Sequence, residues 1–359
     1  MSVEGRPRRE GGSDRPIRNQ LFPIAPAAEA GAEMVGASSL KAYLDLDWDD
    51  PMAKAEALGN ILNVLEEVES WMKKQTSLES ATAEAVKEHL ETGRQIEAQD
   101  VESGADGFPK LKQGVAKNRR IAIEDEEMRH GRKSRSQRFD GYKRHVLKDL
   151  DLGLVRAVGI TPGNVPEANV TEAIAADLQK QKVALEQLHI DRAYLSSSLV
   201  RERSEELTII CKAWPVRNGS RFNKSAFTLD WEKRLIHCPN QVQLPFTEGK
   251  VVRFPAELCG KCPLREGCTT SKRGRSVSIH PDEKLLTELR QRQTTAVGRA
   301  QLRERVTVEH TLAHIGQWQG DRARYFGSRK NLFDLRRLAV VHNLHVIARM
   351  PDTLVEVMA

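Results

Sequence analysis

Hydrophobic residues near the start of the chain recur at three- and four-residue intervals, which is the spacing of one face of a helix. The positions are Leu58, Ile61, Leu62, Leu65 and Val68. They follow Asp47-Trp-Asp-Asp-Pro51, an acidic helix start with a proline in the first turn. A helix is therefore predicted to about Lys74, and a second helix with a thinner apolar face over about 78–97. We expect the two to form a hairpin that packs on another part of the protein.

Between residues 141 and 191 the hydrophobic pattern becomes that of strands. Two strands joined by a turn are predicted over 141–147 and 154–160, followed by a helix over 170–181 and a short apolar strand over 188–190. Asp191 comes directly after that last strand. Such a carboxylate lies at the carboxyl edge of a sheet, where open α/β folds bind their ligands. The alternative is that Asp191 is a loop or capping residue.

The remaining chain returns to helices after a segment of different character. A helix is predicted over 197–206 and a strand over 208–214. Residues 215–280 contain short β-like pieces and most of the cysteines, and they are interpreted as an insertion. Helices are predicted over 282–297, 299–318 and 331–349. The order of elements predicts an α/β fold.

Composition favours a globular protein with an anionic partner. Apolar residues make up 39% of the 359 residues, charged residues 30%, and the net charge is +6. Because the positive charge is clustered, nucleic acid is the favoured class of partner. No apolar run approaches the length of a membrane span, and the first residues lack the apolar core of a secretory signal. A cytoplasmic location is therefore expected.

Two segments combine clustered positive charge with aromatic side chains. Residues 129–144 contain seven Lys or Arg among sixteen residues, together with Phe139 and Tyr142, and residues 319–337 have a similar composition. Such segments contact phosphates and stack on bases, although a solvated charged loop is the alternative. The candidate DNA contacts are Arg132, Lys133, Arg135, Arg138, Lys143, Arg322, Arg324, Arg329 and Lys330.

Four of the five cysteines are close in sequence. Cys259-Gly-Lys-Cys262 has the spacing of a structural zinc hook, and Cys238 and Cys268 complete the four ligands of a tetrahedral site. Free thiols beneath a small β lobe are the alternative. Cys211 belongs to an apolar strand and is interpreted as a core residue.

The predicted helix 299–318 contains a second acidic candidate. Glu309 follows Arg305 by four residues, so both side chains lie on one helical face. One interpretation is a surface ion pair worth a few tenths of a kcal/mol. The other is that Glu309 holds a metal ion while Arg305 contacts a phosphate.

Several motifs, in this order, resemble those of the DDE transposases of bacterial insertion sequences, specifically the subgroup with a Cys-rich insertion. The resemblance covers residues 37–350. The motifs are Glu127-Met-Arg-His-Gly-Arg-Lys-Ser134, Phe139-Asp-Gly-Tyr-Lys-Arg-His-Val146, His189-Ile-Asp-Arg-Ala-Tyr194, Cys259-x-x-Cys-Pro-Leu-Arg265, Arg305-Val-Thr-Val-Glu-His310 and Arg324-Tyr-Phe-Gly-Ser-Arg-Lys-Asn331.

The resemblance implies a ribonuclease-H-like α/β fold, with a mixed sheet flanked by helices and interrupted by a small β-rich, Cys-containing insertion. It also implies phosphoryl transfer on DNA by three carboxylates that hold two Mg²⁺ or Mn²⁺ ions. Asp191 matches the second carboxylate, Glu309 the third, and Arg305 the basic residue that contacts DNA phosphate. The implied partners are transposon ends, target DNA, and a second copy or a full-length transposase.

The sequence departs from this family at its first carboxylate. No apolar-Asp-Ser/Thr signature of the first strand is found, and the usual N-terminal DNA-binding domain is missing. We therefore expect a truncated or frameshifted transposase with impaired catalysis, or a non-enzymatic, zinc-stabilised DNA-binding remnant or regulator. The expected divisions are a basic leader (1–37), the helical hairpin and linker (38–128), the first part of the DDE domain (129–211), the Cys-rich insertion (212–280) and the second part of the DDE domain (281–359).

Overall fold

The computed structural model describes residues 44, 46–75, 80–104, 107–114, 116, 118–134, 136–320 and 322–351. The predicted leader, 1–37, lies outside the described residues. The helical hairpin is confirmed as α1 (Pro51–Lys74) and α2 (Ser80–Asp100). Asp50 caps α1, because its Oδ1 accepts a hydrogen bond from the Met52 amide at 2.8 Å.

Polar contacts hold the two helices of the hairpin together. Arg94 on α2 forms an ion pair with Glu69 on α1 at 2.7 Å, and this contact lowers the pKa of Glu69. The apolar contacts are thin, and Leu65 packs against Gly93. After α2 the chain forms a small antiparallel pair, β1 (Val101–Ser103) and β2 (Pro109–Leu111). The hairpin and this pair contribute no residue to the hydrophobic clusters found in the described chain.

The basic stretch begins as a β-hairpin, which the sequence analysis did not predict. Strands β3 (Arg129–Arg132), β4 (Arg138–Lys148) and β5 (Val155–Pro162) form an antiparallel sheet with β4 in the middle. Phe139 is buried across from Gly131, whose missing Cβ would lie 2.2 Å from the aromatic ring. Glycine at this position therefore lets the ring close over the strand pair.

A second, parallel pair of strands carries Asp191. Helix α3 (Thr171–Gln181) leads to β6 (Gln187–His189), which pairs in parallel with β7 (Thr208–Ile210), and the short α4 (Ser198–Arg201) lies between them. Within the described chain no hydrogen-bonded ladder joins β6 and β7 to the β3–β5 sheet. The predicted single mixed sheet is therefore not confirmed, although both sheets contribute side chains to one core.

Four helices follow in the C-terminal part of the chain, and the last two of them pack on the antiparallel sheet. The four helices are α6 (Glu283–Arg292), α7 (Ala296–Glu304), α8 (Val306–Gln319) and α9 (Ser328–Ile347). Leu312 and Ile315 from α8 and Leu335 from α9 pack on the valines of β4 and β5. The predicted helix 299–318 is divided at Arg305, which ends α7 and begins α8.

Residues 215–280 form a β-rich lobe with its own hydrophobic core. It contains β8 (Thr228–Asp230), β9 (Leu235–His237), β10 (Gln243–Pro245), β11 (Val251–Arg253), α5 (Ala256–Gly260) and β12 (Ser276–Ser278). Ile236, Phe254 and Ile279 are buried at its centre. Across the described ranges, no helix has both the length and the apolar character that a membrane crossing requires.

Candidate functional site

Asp191 and Glu309, the two predicted catalytic carboxylates, meet at one arginine. The guanidinium of Arg305 donates from one nitrogen to Asp191 Oδ2 at 2.9 Å and lies 3.1 Å from Glu309 Oε1 through the other. Asp191 and Arg305 are separated by 114 positions in the sequence, so only the tertiary fold brings them together. The sequence-predicted residues thus form one cluster.

Local structure explains this convergence. Asp191 is two residues beyond the end of β6 and has extended backbone geometry, which places it at the carboxyl edge of the parallel strand pair. Arg305 lies at the junction of α7 and α8, and Glu309 follows one helical turn later. The side chains of Asp191 and Glu309 are 42% and 47% exposed, so an external ligand can reach both carboxylates.

The Arg305 cluster borders a large cavity of about 800 Å³. One wall follows the ends of β6 and β7 and carries Asp191, Arg192 and Lys212. The opposite wall is formed by α7 and the start of α8. The cationic residues that line the cavity are Arg192, Lys212, Arg299, Arg303 and Arg305, whereas the acidic ones are Glu167 and Asp191.

Glu167, the second acidic residue of the cavity, has its own cation. The Nζ of Lys143 lies 3.0 Å from Glu167 Oε1 and donates a hydrogen bond to the Val165 carbonyl at 2.8 Å. The Lys143 side chain is only 8% exposed. These contacts favour a structural role for Lys143 over the DNA contact predicted from the sequence.

A buried polar network supports the turn that carries Asp191. His145 on β4 is fully buried, with Nδ1 2.7 Å from the Tyr194 hydroxyl and Nε2 2.9 Å from Thr161 Oγ1. Burial lowers the pKa of His145 to about 3 and raises that of Tyr194 far above its ordinary value. The neutral ring is a donor at one nitrogen and an acceptor at the other, so it can satisfy both hydroxyls.

The carboxylates do not fit the two-metal arrangement that the family resemblance implies. Both already contact the guanidinium of Arg305, so a divalent cation would have to displace this guanidinium before it gained both carboxylates. In the part of the chain that the structure describes, no group of three or more His, Cys, Asp or Glu side chains is arranged so that it could hold a metal ion. Two carboxylates and an arginine alone do not position two metal ions.

The first basic segment presents its charges on the β3–β4 hairpin. Arg132 and Arg138 face each other across the two strands, and Lys133 begins the connecting turn. All three are exposed. Arg135 lies outside the described residues. The hairpin therefore offers a compact group of cations to a polyanion.

The second basic segment lies beside this hairpin. Glu127, just before β3, accepts a hydrogen bond from the Ser328 amide at the start of α9 at 2.8 Å. Arg322, Arg329 and Lys330 are exposed near that helix start. Arg324 instead donates to the carbonyls of Trp318 and Gln319 at the end of α8, so part of its guanidinium is used within the protein.

The four clustered cysteines converge in the β-rich lobe. Cys238, Cys259, Cys262 and Cys268 line one small cavity of about 30 Å³, and none of them forms a disulfide. Burial and the neighbouring thiols raise the pKa of Cys268. Cys211 is buried elsewhere, as predicted, and burial raises its pKa to about 12. The four sulfurs of the lobe therefore surround one cavity, but the side chains as placed do not form a group that could hold a metal ion.

Sequence reasoning missed the cationic lining of the large cavity. Arg192 follows Asp191, and Lys212 lies two residues beyond the end of β7. The same signal that selected Asp191, a polar residue after a short parallel strand, also applies to both of them. Arg299 and Arg303 are one turn apart on α7 and gave no separate signal, because a charged helix face is ordinarily a solvated one.

Comparison with known families finds a match in the C-terminal part of the chain. Residues 237–348 match the family model described as "Transposase DDE domain". This range includes Arg305, Glu309 and the four clustered cysteines, but not Asp191, and it covers less than half of the chain. No curated protein and no solved structure matches the chain. The predicted resemblance to DDE transposases is therefore confirmed over this range.

Proposed function

Because residues 237–348 match a transposase DDE domain, we propose that this protein is a DNA-binding relative of transposases whose own strand-cleavage chemistry is impaired. The observation that carries the proposal is the Arg305 cluster. In this cluster Arg305 contacts and neutralises both Asp191 and Glu309, the two residues that the resemblance matches to family carboxylates. Within the described ranges, no third acidic side chain joins the two carboxylates in a group that could hold a metal ion. The protein then acts as a regulator or remnant beside a complete enzyme.

DNA binding is supported by the two adjacent basic segments. Arg132, Lys133 and Arg138 on the hairpin are exposed, and Glu127 joins the base of this hairpin to the start of α9. Cations on neighbouring surfaces can follow one phosphate backbone. Contacts of these cations with phosphates do not read base sequence, so the expected binding is dominated by phosphate contacts.

Salt-dependent DNA binding tests this part of the proposal. Fluorescence anisotropy with a labelled duplex is measured from 50 to 300 mM salt for the protein and for the triple variant R132Q/K133Q/R138Q. Each phosphate contact contributes about 0.9 to the slope of log K against log salt, so the variant slope falls by about 2 to 3. A matched control is the variant Lys284→Met, which removes an exposed charge on α6. Equal slopes in the protein and the triple variant would exclude the hairpin as a DNA contact.

We also propose that the four converging cysteines bind a structural zinc ion. Four thiolates match the donor set of a closed tetrahedral site, and the packing of three of them on the lobe core would couple zinc to the stability of the lobe. Metal analysis of the purified protein is expected to give one zinc per chain, and less in Cys262→Ser. Cys211→Ala serves as the control, since Cys211 lies in another core. Zinc-free protein with an unchanged melting temperature would support free thiols instead.

A further inference from the structure

A second cavity, of about 340 Å³, contains three histidines, and among the described residues it shares no lining side chain with the cavity beside Asp191. His314 comes from α8, whereas His342 and His345 come from α9. We propose that His314 and His342 bind a divalent transition-metal ion in this cavity, with water as the remaining ligands. The inference requires neither the proposed DNA binding nor a zinc ion at the four cysteines.

His342 is a buried side chain whose polar atoms lack partners. It is 7% exposed and lines the cavity, and neither ring nitrogen has a hydrogen-bond partner within the described chain. The Gly153 carbonyl is near the ring, but no hydrogen bond of ordinary geometry joins them. Burial also lowers the pKa of His342, so the ring stays neutral and keeps a lone pair for a ligand. Because buried polar atoms without partners are unfavourable, a ligand in the cavity would stabilise this side chain.

The rings of His314 and His342 are close to the arrangement that a shared ion requires. Their centres are 6.1 Å apart, and the ring planes are inclined at 80°. Two imidazoles bound to one ion at metal–nitrogen distances of about 2 Å have centres about 5 Å apart. The difference of about 1 Å is within reach of rotation about χ2, which is a soft torsion in histidine. The two helices therefore hold the pair near its ligating geometry before an ion binds.

Water, and not a third side chain, completes the coordination. Within the described ranges no group of three or more His, Cys, Asp or Glu side chains could hold a metal ion. His345 is exposed and lies against Trp318, with ring centres 5.3 Å apart. Asp151 lines the same cavity, where its carboxylate can accept hydrogen bonds from metal-bound water. Arg349, a cation of the lining, is exposed and can remain in solvent.

The chemistry of the donors selects the class of ion. Imidazole nitrogen suits Ni²⁺, Cu²⁺ and Zn²⁺, whereas Mg²⁺ and Ca²⁺ prefer oxygen ligands. Because His314 and His342 lie on different helices, a bound ion joins α8 to α9. The ion should therefore bind the folded chain in preference to the unfolded one and stabilise it.

Calorimetric titration of the untagged protein with Ni²⁺ tests the proposal. Ni²⁺ is expected to bind and to raise the melting temperature. His314→Gln and His342→Gln each remove one ligand, and each should weaken binding by more than the roughly tenfold to hundredfold that loss of an outer-shell partner costs. Thermal melting of the metal-free variants, followed by circular dichroism, shows that they are folded. If His342→Gln does not fold, the half-buried His314→Gln decides the question.

Two control variants separate this cavity from other sites for Ni²⁺. His310 is exposed on α8 one turn before His314 and does not line the cavity, so His310→Gln removes a possible surface histidine pair only. Cys262→Ser alters the cysteine cluster of the β-rich lobe. Both controls should bind Ni²⁺ as the parent protein does.

Each other outcome overturns the proposed site. A parent protein that binds no Ni²⁺, or folded His314→Gln and His342→Gln variants that bind it as the parent does, would show that the two histidines are not ligands. Binding that is lost in His310→Gln and kept in His342→Gln would assign the ion to the surface of α8. Binding that is lost only in Cys262→Ser would assign it to the cysteine cluster.

Discussion

The buried contact between Tyr194 and His145 gives the sharpest prediction for the architecture of the site. It joins β4, in the antiparallel sheet, to the turn that follows Asp191, and no strand ladder of the described chain makes this connection. The perturbation is Tyr194→Phe, which removes one hydroxyl and leaves the ring in place. Tyr194 is 1% exposed and His145 is fully buried, so water cannot replace the lost partner.

The expected cost follows from leaving one imidazole nitrogen unpaired. A buried polar atom without a partner costs about 1–3 kcal/mol, and complete burial of the ring places this case in the upper half of that range. Thr161→Val should cost a similar amount, because Thr161 Oγ1 is the partner of the other ring nitrogen at 2.9 Å. The two substitutions act on one ring, so the double variant should not show the sum of both effects.

Urea denaturation followed by circular dichroism measures these free energies of unfolding. Tyr325→Phe is the matched control, since the Tyr325 side chain is 44% exposed and its substitution should change stability by less than about 0.5 kcal/mol. A Tyr194→Phe protein as stable as this control would refute the argument, because it would mean that the hydroxyl is not the partner of His145.

Three further predictions concern stability. Burial lowers the pKa of His145 to about 3, whereas an unfolded histidine has a pKa near 6.5, so the unfolded chain binds more protons than the folded one between these pH values. The free energy of unfolding, measured at pH 7, 6 and 5, should therefore decrease by up to about 1.4 kcal/mol per pH unit because of this residue. An NMR titration that finds a His145 pKa near 6.5 in the folded protein would contradict this. Glu283 is fully buried against Lys224 and Arg290, so Glu283→Gln should lower the free energy of unfolding, measured by urea denaturation, by roughly 3 kcal/mol. A decrease below about 1 kcal/mol would rule out a buried ionic cluster. Gly274 has a φ of +84°, and a Cβ there would lie 2.1 Å from the Phe254 carbonyl oxygen; Gly274→Ala should lower the melting temperature of the β-rich lobe and its zinc content together, whereas an unchanged melting temperature would show that the backbone there is not constrained.

Local sequence signals predicted the features that depend on a single helix or strand. The Asp50–Pro51 start and the apolar spacing predicted α1, and the short apolar run before Asp191 predicted β6. The strand-edge position of Asp191 and the helical face of Glu309 were also accessible, because each depends on neighbouring residues alone. The Cys259-x-x-Cys262 spacing also indicated a shared site, whereas Cys238 reaches the same cavity only through the fold of the lobe.

Tertiary contacts decided what the sequence did not predict. The helix predicted over 197–206 is only the four residues of α4, and Arg203, just beyond its end, pairs with Asp282 at 2.6 Å. Lys143 belonged to a basic cluster in the sequence, but the alternation of β4 points it inward to Glu167. Arg305 contacts both carboxylates because the junction of α7 and α8 lies close to the end of β6. Residue spacing along the chain does not predict that distance.

The measurement that tests the central claim most directly is nicking of DNA that carries transposon ends, with Mg²⁺ or Mn²⁺, by the protein and by Glu309→Ala, alongside binding of the same DNA. The account predicts no cleavage by either protein and retained, salt-sensitive binding by both. Cleavage by the parent that disappears in Glu309→Ala would contradict it, because the protein would then assemble a working metal site despite the ion pairs of Arg305.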